Sequence, residues 1–320
     1  MNRHSTRVKI AGTDLEISRL GLGTAPLGGM YTPVAEGEAE ELIRLALAKG
    51  INFFDTAPFY GAGLSEIRLG RELRNAGMPY IIETKVGRVL NPAKHPNIAV
   101  FVEGIPGLEP VFDLSADGIK RSIEESLTRL DVDHIDIALI HDAEDHMDQA
   151  ISEAYPVLDD LRRQGVIKGV GTGMNYCDKT IRFIDECDLN VVLIAGRYTL
   201  LDQEAEIALL PLALEKGISV LVGGVFNSGI LANPSSEATY NYEKVPTEIL
   251  SKAELIKAFL AQRGVSLIAA AIQFPLQHPG VSAVLTGAKS RYELEVNIAN
   301  FDQEIPSNIW SDLRAEGLIS

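Results

Sequence analysis

Eight short apolar runs recur along the chain, separated by stretches with helical spacing, and this alternation limits what it can fold into. The runs lie at 20–24, 51–55, 81–86, 135–141, 167–172, 191–195, 218–222 and 282–286. Each is apolar at consecutive positions rather than alternate ones, as strands buried on both faces are. Between them, 38–49 places Leu42, Leu45 and Ala46 on one helical face, with Gly50 as a stop. The stretch 115–130 opens on Ser115 as a cap and carries Ile119, Ile123, Ser126, Leu127 and Leu130 along one side. Helices are also expected at 152–164 and 204–216, ended by Gly165 and Gly217. The phrase helix–Gly–strand recurs as AKGINF, RQGVIKG and EKGISV, which suits parallel α/β units. Eight such units predict a (β/α)8 TIM barrel. An open doubly wound sheet would want a glycine fingerprint at its first strand–helix turn, and GLGTAPLGG does not fit GxGxxG. No linker or charge block divides the chain, so residues 1–320 are read as one barrel domain.

Two connections exceed plain loops, at 88–114 and 225–246, and both follow strands. They belong to the C-terminal face, where barrel enzymes keep their active sites, and are expected to wall a pocket.

Charge narrows the partners. Forty-four acidic residues against 29 basic ones give a net −15, which disfavours nucleic acid and anionic membrane surfaces. No apolar stretch approaches the roughly 18 residues of a membrane helix, and the N-terminal residues do not resemble a secretory signal. Two cysteines, Cys177 and Cys187, suit a reducing cytoplasm better than a disulfide framework. They have no neighbours at metal-ligand spacing, and the HDAEDHMD segment with His146 fits no standard metal site, so no metal is expected.

Asp55, Lys85 and His141 stand at the C-terminal ends of three neighbouring strands, with Tyr60 in the loop after Asp55. Singly, each has an ordinary reading: a cap, a solvated cation, a structural histidine, a surface tyrosine. Together they put four titratable groups at one rim. A buried Asp–Lys pair beside a tyrosine is expected to lower the phenol below its ordinary value of about 10, as suits a general acid/base. The histidine would orient a carbonyl or hydroxyl.

With FFDTAPFYG, GLSEIRLGREL, ETKVG and LIHD, the chain resembles the aldo-keto reductases. The resemblance implies that Asp55, Tyr60, Lys85 and His141 are the catalytic four, working without metal on a carbonyl–alcohol pair with a nicotinamide cofactor. IAGRYTLLDQ, GGVFNSGIL, EATYNY and AAAIQFPLQHP are similar to a narrower group within that family. This group comprises the bacterial aldose 1-dehydrogenases, acting on L-fucose and D-threo-aldoses, and pyridoxal 4-dehydrogenase. It implies oxidation of a cyclic hemiacetal, such as L-fucose, D-arabinose or L-galactose, to its lactone. An NADPH-dependent aldehyde reductase, a nicotinamide-binding regulatory subunit and a Schiff-base aldolase using Lys85 are the alternatives.

Cofactor contacts are assigned to Asn175, Tyr198, Gly223, Asn227, Gly287, Lys289, Arg291, Glu293 and Asn297. Where many relatives have Ser-Asn after strand five and Gln on strand six, this chain has Gly173, Met174 and Ala195. Asn175 is then the candidate for the lost amide contact, and Tyr198 for stacking on the nicotinamide. GAKSRYELEVN opens a helix whose N-terminus suits a phosphate. Glu293 there repels a 2′-phosphate and favours NAD, whereas Lys289 and Arg291 leave NADP open. Trp310 is read as packing the C-terminal helix onto the barrel.

Overall fold

The apolar runs pair side by side in parallel and close on themselves. In the computed structural model, which describes residues 2–320, the barrel strands are β1 (Leu20–Gly23), β2 (Phe53–Asp55), β3 (Ile81–Val86), β4 (Ile137–His141), β5 (Gly169–Met174), β6 (Val191–Ala195), β7 (Ser219–Gly223) and β8 (Val281–Gly287). They follow one another in chain order around the barrel, with β8 pairing β1 to complete it. The (β/α)8 TIM barrel is the observed fold.

Two apolar clusters account for the consecutive burial of the strands. Outward side chains such as Leu22, Phe54, Ile82, Ala138, Ile140, Val192 and Val220 pack under the helices in the larger cluster. Inward ones, Phe53, Ile81, Ile137, Leu139, Val191, Leu193, Leu221, Ala283 and Leu285, fill the barrel interior. A hairpin of Arg7–Lys9 with Glu16–Ser18 adds Ile10, Leu15 and Ile17 to that interior and closes the N-terminal end.

Local rules explain the helix ends. Gly50 and Gly217 hold φ of +81° and +68°, backbone that only glycine adopts freely, where helix turns into strand. Ser115 caps Ala116–Leu130 by accepting from Gly118 N at 3.1 Å. Two expected helices differ from their sequence reading. The 204–216 stretch is two pieces, Glu204–Ile207 and Leu209–Lys216, because Pro211 cannot donate and its ring would strike the carbonyl of Ile207. The helix expected at 152–164 begins earlier, with a π-helical turn at Ala150–Ala154 before Tyr155–Arg163. Trp310 packs its ring against Phe274, at 6.0 Å between centroids, and so fixes Asn308–Ala315 to the barrel.

Neither long connection is structureless. The first is built on an antiparallel pair, Arg88–Pro92 with Leu108–Phe112, and the second on a short one, Thr239–Tyr240 with Glu243–Lys244. Both rise over the C-terminal end of the barrel. No helix among the described residues is long and apolar enough to cross a membrane.

Candidate active site

The final inward positions of the strands divide into two halves. On β2, β3 and β4 they are Asp55, Lys85 and His141; on β5, β6, β7, β8 and β1 they are Gly173, Ala195, Gly223, Gly287 and Gly23. Polar groups crowd one side and missing side chains empty the other. The result is a cavity of about 480 Å³ at the C-terminal end of the barrel. The first long connection adds Ala99, Val100 and Phe101 to its wall, and the second adds Ser228 and Tyr242.

Lys85 is the hub of the polar half. Its Nζ donates to Asp55 Oδ1, to the Thr56 carbonyl at 3.0 Å and to Tyr60 Oη at 2.9 Å. Asp55 and Lys85 are only 5% and 2% exposed, so this is a buried ion pair with every ammonium proton used. The stem of Lys85 runs past Gly173, whose absent Cβ would sit 3.4 Å from the lysine Cε. His141 faces the Tyr60 ring edge-on at 6.0 Å between centroids.

Tyr60 is set by its own loop and the helix behind it. Gly61 holds φ of +61° where the loop passes Gly28 so closely that a Cβ would lie 2.4 Å from the Gly28 carbonyl. Ser65 at the start of helix Leu64–Leu73 donates to the Thr24 carbonyl at 2.7 Å. Glu66 on the same helix, fully buried, accepts from Arg129 at 2.6 Å and from Thr84 of β3 at 2.9 Å. Thr84 and Lys85 point to opposite faces of β3, so one strand anchors the helix outside and the tyrosine inside.

The electrostatics partly overturn expectation. Burial and the Asp55 charge raise the Tyr60 phenol above its ordinary value, although Lys85 pulls it down. Asp55 faces the same ammonium, and burial together with its charge outweighs what Lys85 does for the phenol. Burial disfavours the Lys85 ammonium, but Asp55, Tyr60 and Glu83 raise it, so it stays a cation. Burial together with Arg88 and Lys85 holds His141 well below its usual range, as a neutral imidazole.

Three titratable residues escaped the sequence reading. Asp142 lines the cavity beside His141, 3.4 Å from its Nε2, and burial pushes its carboxyl up to about 6. Arg88 reaches Asp142 at 3.2 Å with its guanidinium 4.1 Å from the Phe59 ring and 4.3 Å from that of Phe112. Glu83 lies fully buried one inward position below Lys85. Strand alternation alone would have found Glu83, since it shares a face with Lys85. Arg88, three residues past Lys85, and Asp142, next after His141, lie beyond the strand ends and gave no comparable signal.

The assigned cofactor residues fall in three groups. Asn175, Gly223 and Gly287 line the cavity, and Asn175 Nδ2 donates to Asp142 Oδ1 at 3.4 Å. Asn227 donates to the Gly196 carbonyl at 3.2 Å, and Asn297 to that of Gly287 at 3.3 Å. Lys289, Arg291 and Glu293 lie beyond the cavity at the start of helix Arg291–Asp302. Ser290 caps that helix by accepting from Glu293 N at 3.3 Å, and the Glu293 carboxylate accepts from Lys289 N at 2.9 Å. Lys289 lies 4.0 Å from Glu293, and Arg291 pairs with Glu295 at 3.1 Å. Tyr198 departs from its assignment as a stacking ring. It is 1% exposed and packs against Phe274 at 5.0 Å and His278 at 6.2 Å, because the turn after β6 leads it outward beneath the last helices.

The match of chain to family is direct: residues 19–315 fit the aldo/keto reductase family. The chain belongs to the aldo/keto reductases. It is 39% identical to the pyridoxal 4-dehydrogenase of Microbacterium luteolum, over 99% of this chain and 98% of that one. It is 37% identical to the D-threo-aldose 1-dehydrogenase of a Pseudomonas species, over 98% of each. The L-galactose dehydrogenase of Arabidopsis thaliana is 32% identical, over 91% of this chain and 86% of its own. Among solved structures, the aldo-keto reductase of Bacillus halodurans in its holo form superposes with a TM-score of 0.79 at 26% identity, covering 99% of this chain and 97% of that one. Aldo/keto reductases are nicotinamide enzymes. The residues here fit such a group: Gly223 and Gly224 keep the cavity floor bare, and the buried Oδ1 of Asn227 has no donor of its own.

Proposed function

We propose that this aldo/keto reductase oxidises a cyclic hemiacetal to its lactone, with Tyr60 as the general base. The observation that carries the reading is the hydrogen bond from Lys85 Nζ to Tyr60 Oη at 2.9 Å, with His141 across the same end of the cavity. The names of the aldose and galactose dehydrogenases among its relatives support the substrate class. So does the cavity wall, which offers Asp142, Asn175 and Ser228 to hydroxyl groups.

A nicotinamide, when bound, would supply the hydride acceptor. As the anomeric C–H bond gives up its hydride to that acceptor, Tyr60, which has first lost its phenol proton to solvent, takes the anomeric hydroxyl proton and the carbonyl of the lactone forms. The raised phenol makes that anion a strong base and a minor form at neutral pH, and the Lys85 cation steadies it until it takes the proton. Asp55 holds Lys85 in place. Neutral His141 donates a hydrogen bond to the same substrate oxygen and keeps it in line. A lysine tied down as an ammonium is no Schiff-base nucleophile, which disfavours the aldolase alternative.

Asn175, Gly223, Asn227, Gly287 and Asn297 are proposed to hold the cofactor, with Lys289, Arg291 and Glu293 at its adenosine end. Glu293 favours NAD. Its carboxylate already occupies the helix N-terminus that a 2′-phosphate would seek, and two anions there repel.

A second reading, oxidation of pyridoxal, draws on the aromatic wall of Phe59, Phe101 and Tyr242 as well as on a relative's name. One assay separates the two. NAD+ and NADP+ are each offered with L-fucose, D-arabinose, L-galactose and pyridoxal while reduced nicotinamide is followed by absorbance. Reduction of NAD+ by a sugar is the expected result. Signal with pyridoxal alone would move the substrate class, and cofactor binding without turnover in any well would return the regulatory-subunit alternative.

A further inference from the structure

Glu83 stands where a charge has no reason to be. It is 0% exposed in the barrel interior, level with Asp55 on β2 and with Ile137 on β4. Ile81 lies one inward step below it and Lys85 one step above. Neither carboxyl oxygen receives a hydrogen bond from any donor among the described residues. The charged groups that face it are Asp55 and Lys85 alone, and the Lys85 protons are already committed to Asp55, Thr56 and Tyr60.

An anion buried without a donor beside a second carboxylate is the most costly state available, and protonation removes the cost. The neutral acid then has one O–H to place, and Asp55, its register partner on β2, is an acceptor beside it. We propose that Glu83 is a positioning residue, a neutral carboxylic acid that donates its O–H to Asp55 and so draws the Asp55 charge away from Tyr60. It touches neither substrate nor cofactor.

The arrangement matters because two groups compete over the phenol. Lys85 eases its ionisation and Asp55 opposes it. A hydrogen bond into Asp55 disperses part of that negative charge onto the Glu83 O–H, so less of it opposes the phenol. A neutral Glu83 also keeps the buried set at one anion and one cation. Were Glu83 ionised, forming the tyrosinate would place three anions against one cation in a single apolar enclosure. The polar position below the ion pair thereby serves the proton step without any contact to the reacting atoms.

Infrared spectroscopy of the whole protein in D2O at neutral pH tests the protonation directly, through the carbonyl stretch of a protonated carboxyl group. The band is expected in the wild type and in Asp142→Asn, and is expected to vanish in both Glu83→Gln and Glu83→Leu. Its absence from the wild type, or its persistence in either Glu83 variant, would overturn the proposal. Melting temperatures serve as the control for folding. Glu83→Leu exchanges a fully buried acid for an apolar side chain of similar size beside Ile81 and Ile137, so it should still fold and melt in one cooperative transition.

The influence on Tyr60 is read from the acid limb of kcat/KM for oxidation, and this arm rests on the function proposed above. Glu83→Leu removes the donor, concentrates charge on Asp55 and should move that limb up by about one pH unit. Glu83→Gln, whose amide still donates to Asp55, should recover most of the shift. An unmoved limb in Glu83→Leu would refute the positioning role. If no sugar and no pyridoxal is turned over, the substrate reading has failed, and the infrared band still decides the state of Glu83.

Discussion

Arg88 holds Asp142 at 3.2 Å from within an aromatic clamp, its guanidinium 4.1 Å above Phe59 and 4.3 Å above Phe112. The pair links the first long connection to the residue that follows His141. Asp142 lines the cavity, and under the proposed sugar chemistry its ionised carboxylate would accept from hydroxyl groups, since only that form is purely an acceptor.

Asp142 should therefore impose a pH dependence of its own. Its carboxyl is pushed up to about 6 by burial. In the sugar reaction kcat/KM should rise through that pH in the wild type, and the limb should be absent in Asp142→Asn, at a cost of about tenfold in activity. The stability effect has the opposite sense. The folded carboxyl binds its proton more tightly than the unfolded one. This contribution is present below the ordinary aspartate value and is lost as pH rises through about 6. Melting temperatures of the two proteins across pH 4 to about 7 should converge at the acid end. Parallel curves would remove Asp142 as the titrating group.

Tyr60→Phe removes the proton acceptor and little else. Turnover should fall by about 10³-fold, with the affinity for NAD+ within twofold when followed by fluorescence titration. An unchanged kcat would remove Tyr60 from the chemistry.

Lys85→Met leaves Asp55 without its cation in a site where that carboxylate is 5% exposed. A loss of about 3–5 kcal/mol in denaturant unfolding is expected. Adding Asp55→Asn should restore most of the stability and none of the activity. That split distinguishes the cost of an orphaned charge from the function of the pair.

Gly61→Ala tests how tightly the tyrosine loop is set. The new Cβ would lie 2.4 Å from the Gly28 carbonyl at a residue whose φ is +61°. About 2–3 kcal/mol of stability should be lost, and kcat should fall by about 10²-fold as Tyr60 moves off line. A full kcat with reduced stability would mean that the loop tolerates displacement.

Glu293→Arg should raise the preference for NADP+ by about tenfold in kcat/KM, while Glu293→Gln, whose amide oxygen can still accept from Lys289 N, shifts it less. If the ratio for the two cofactors does not move in Glu293→Arg, the adenosine end lies elsewhere.

The barrel was legible because each of its strands is apolar on both faces, and glycines such as Gly50, Gly165 and Gly217 mark where helices end. Asp55, Lys85 and His141 could be seen at strand ends for the same reason. The sequence misled where an outcome depends on competition or on direction. The Tyr60 phenol was expected to drop, and only the geometry reveals that burial and Asp55 outweigh Lys85. Tyr198 sits close to β6 in sequence, but a turn sends its ring outward, and no spacing rule encodes that turn. The break at Ala208 was readable from Pro211, whereas the Arg88–Asp142 pair joins residues from two connections and has no local signature.

The N-terminal hairpin has a consequence for how the chain comes together. Ile10, Leu15 and Ile17 lie in the same interior cluster as Ala283 and Leu285, and Ala11 N donates to Ser219 Oγ at 2.9 Å. Leu20 of β1 pairs with Val284 of β8. The hairpin and β1, made before the other barrel strands, thus find these partners only once β8 has been made. Until then its apolar residues and one edge of β1 stand open. Synthesis order and assembly order are opposed at this seam, so the slow step of folding should be its closure, and the newborn chain is most exposed to aggregation just before it.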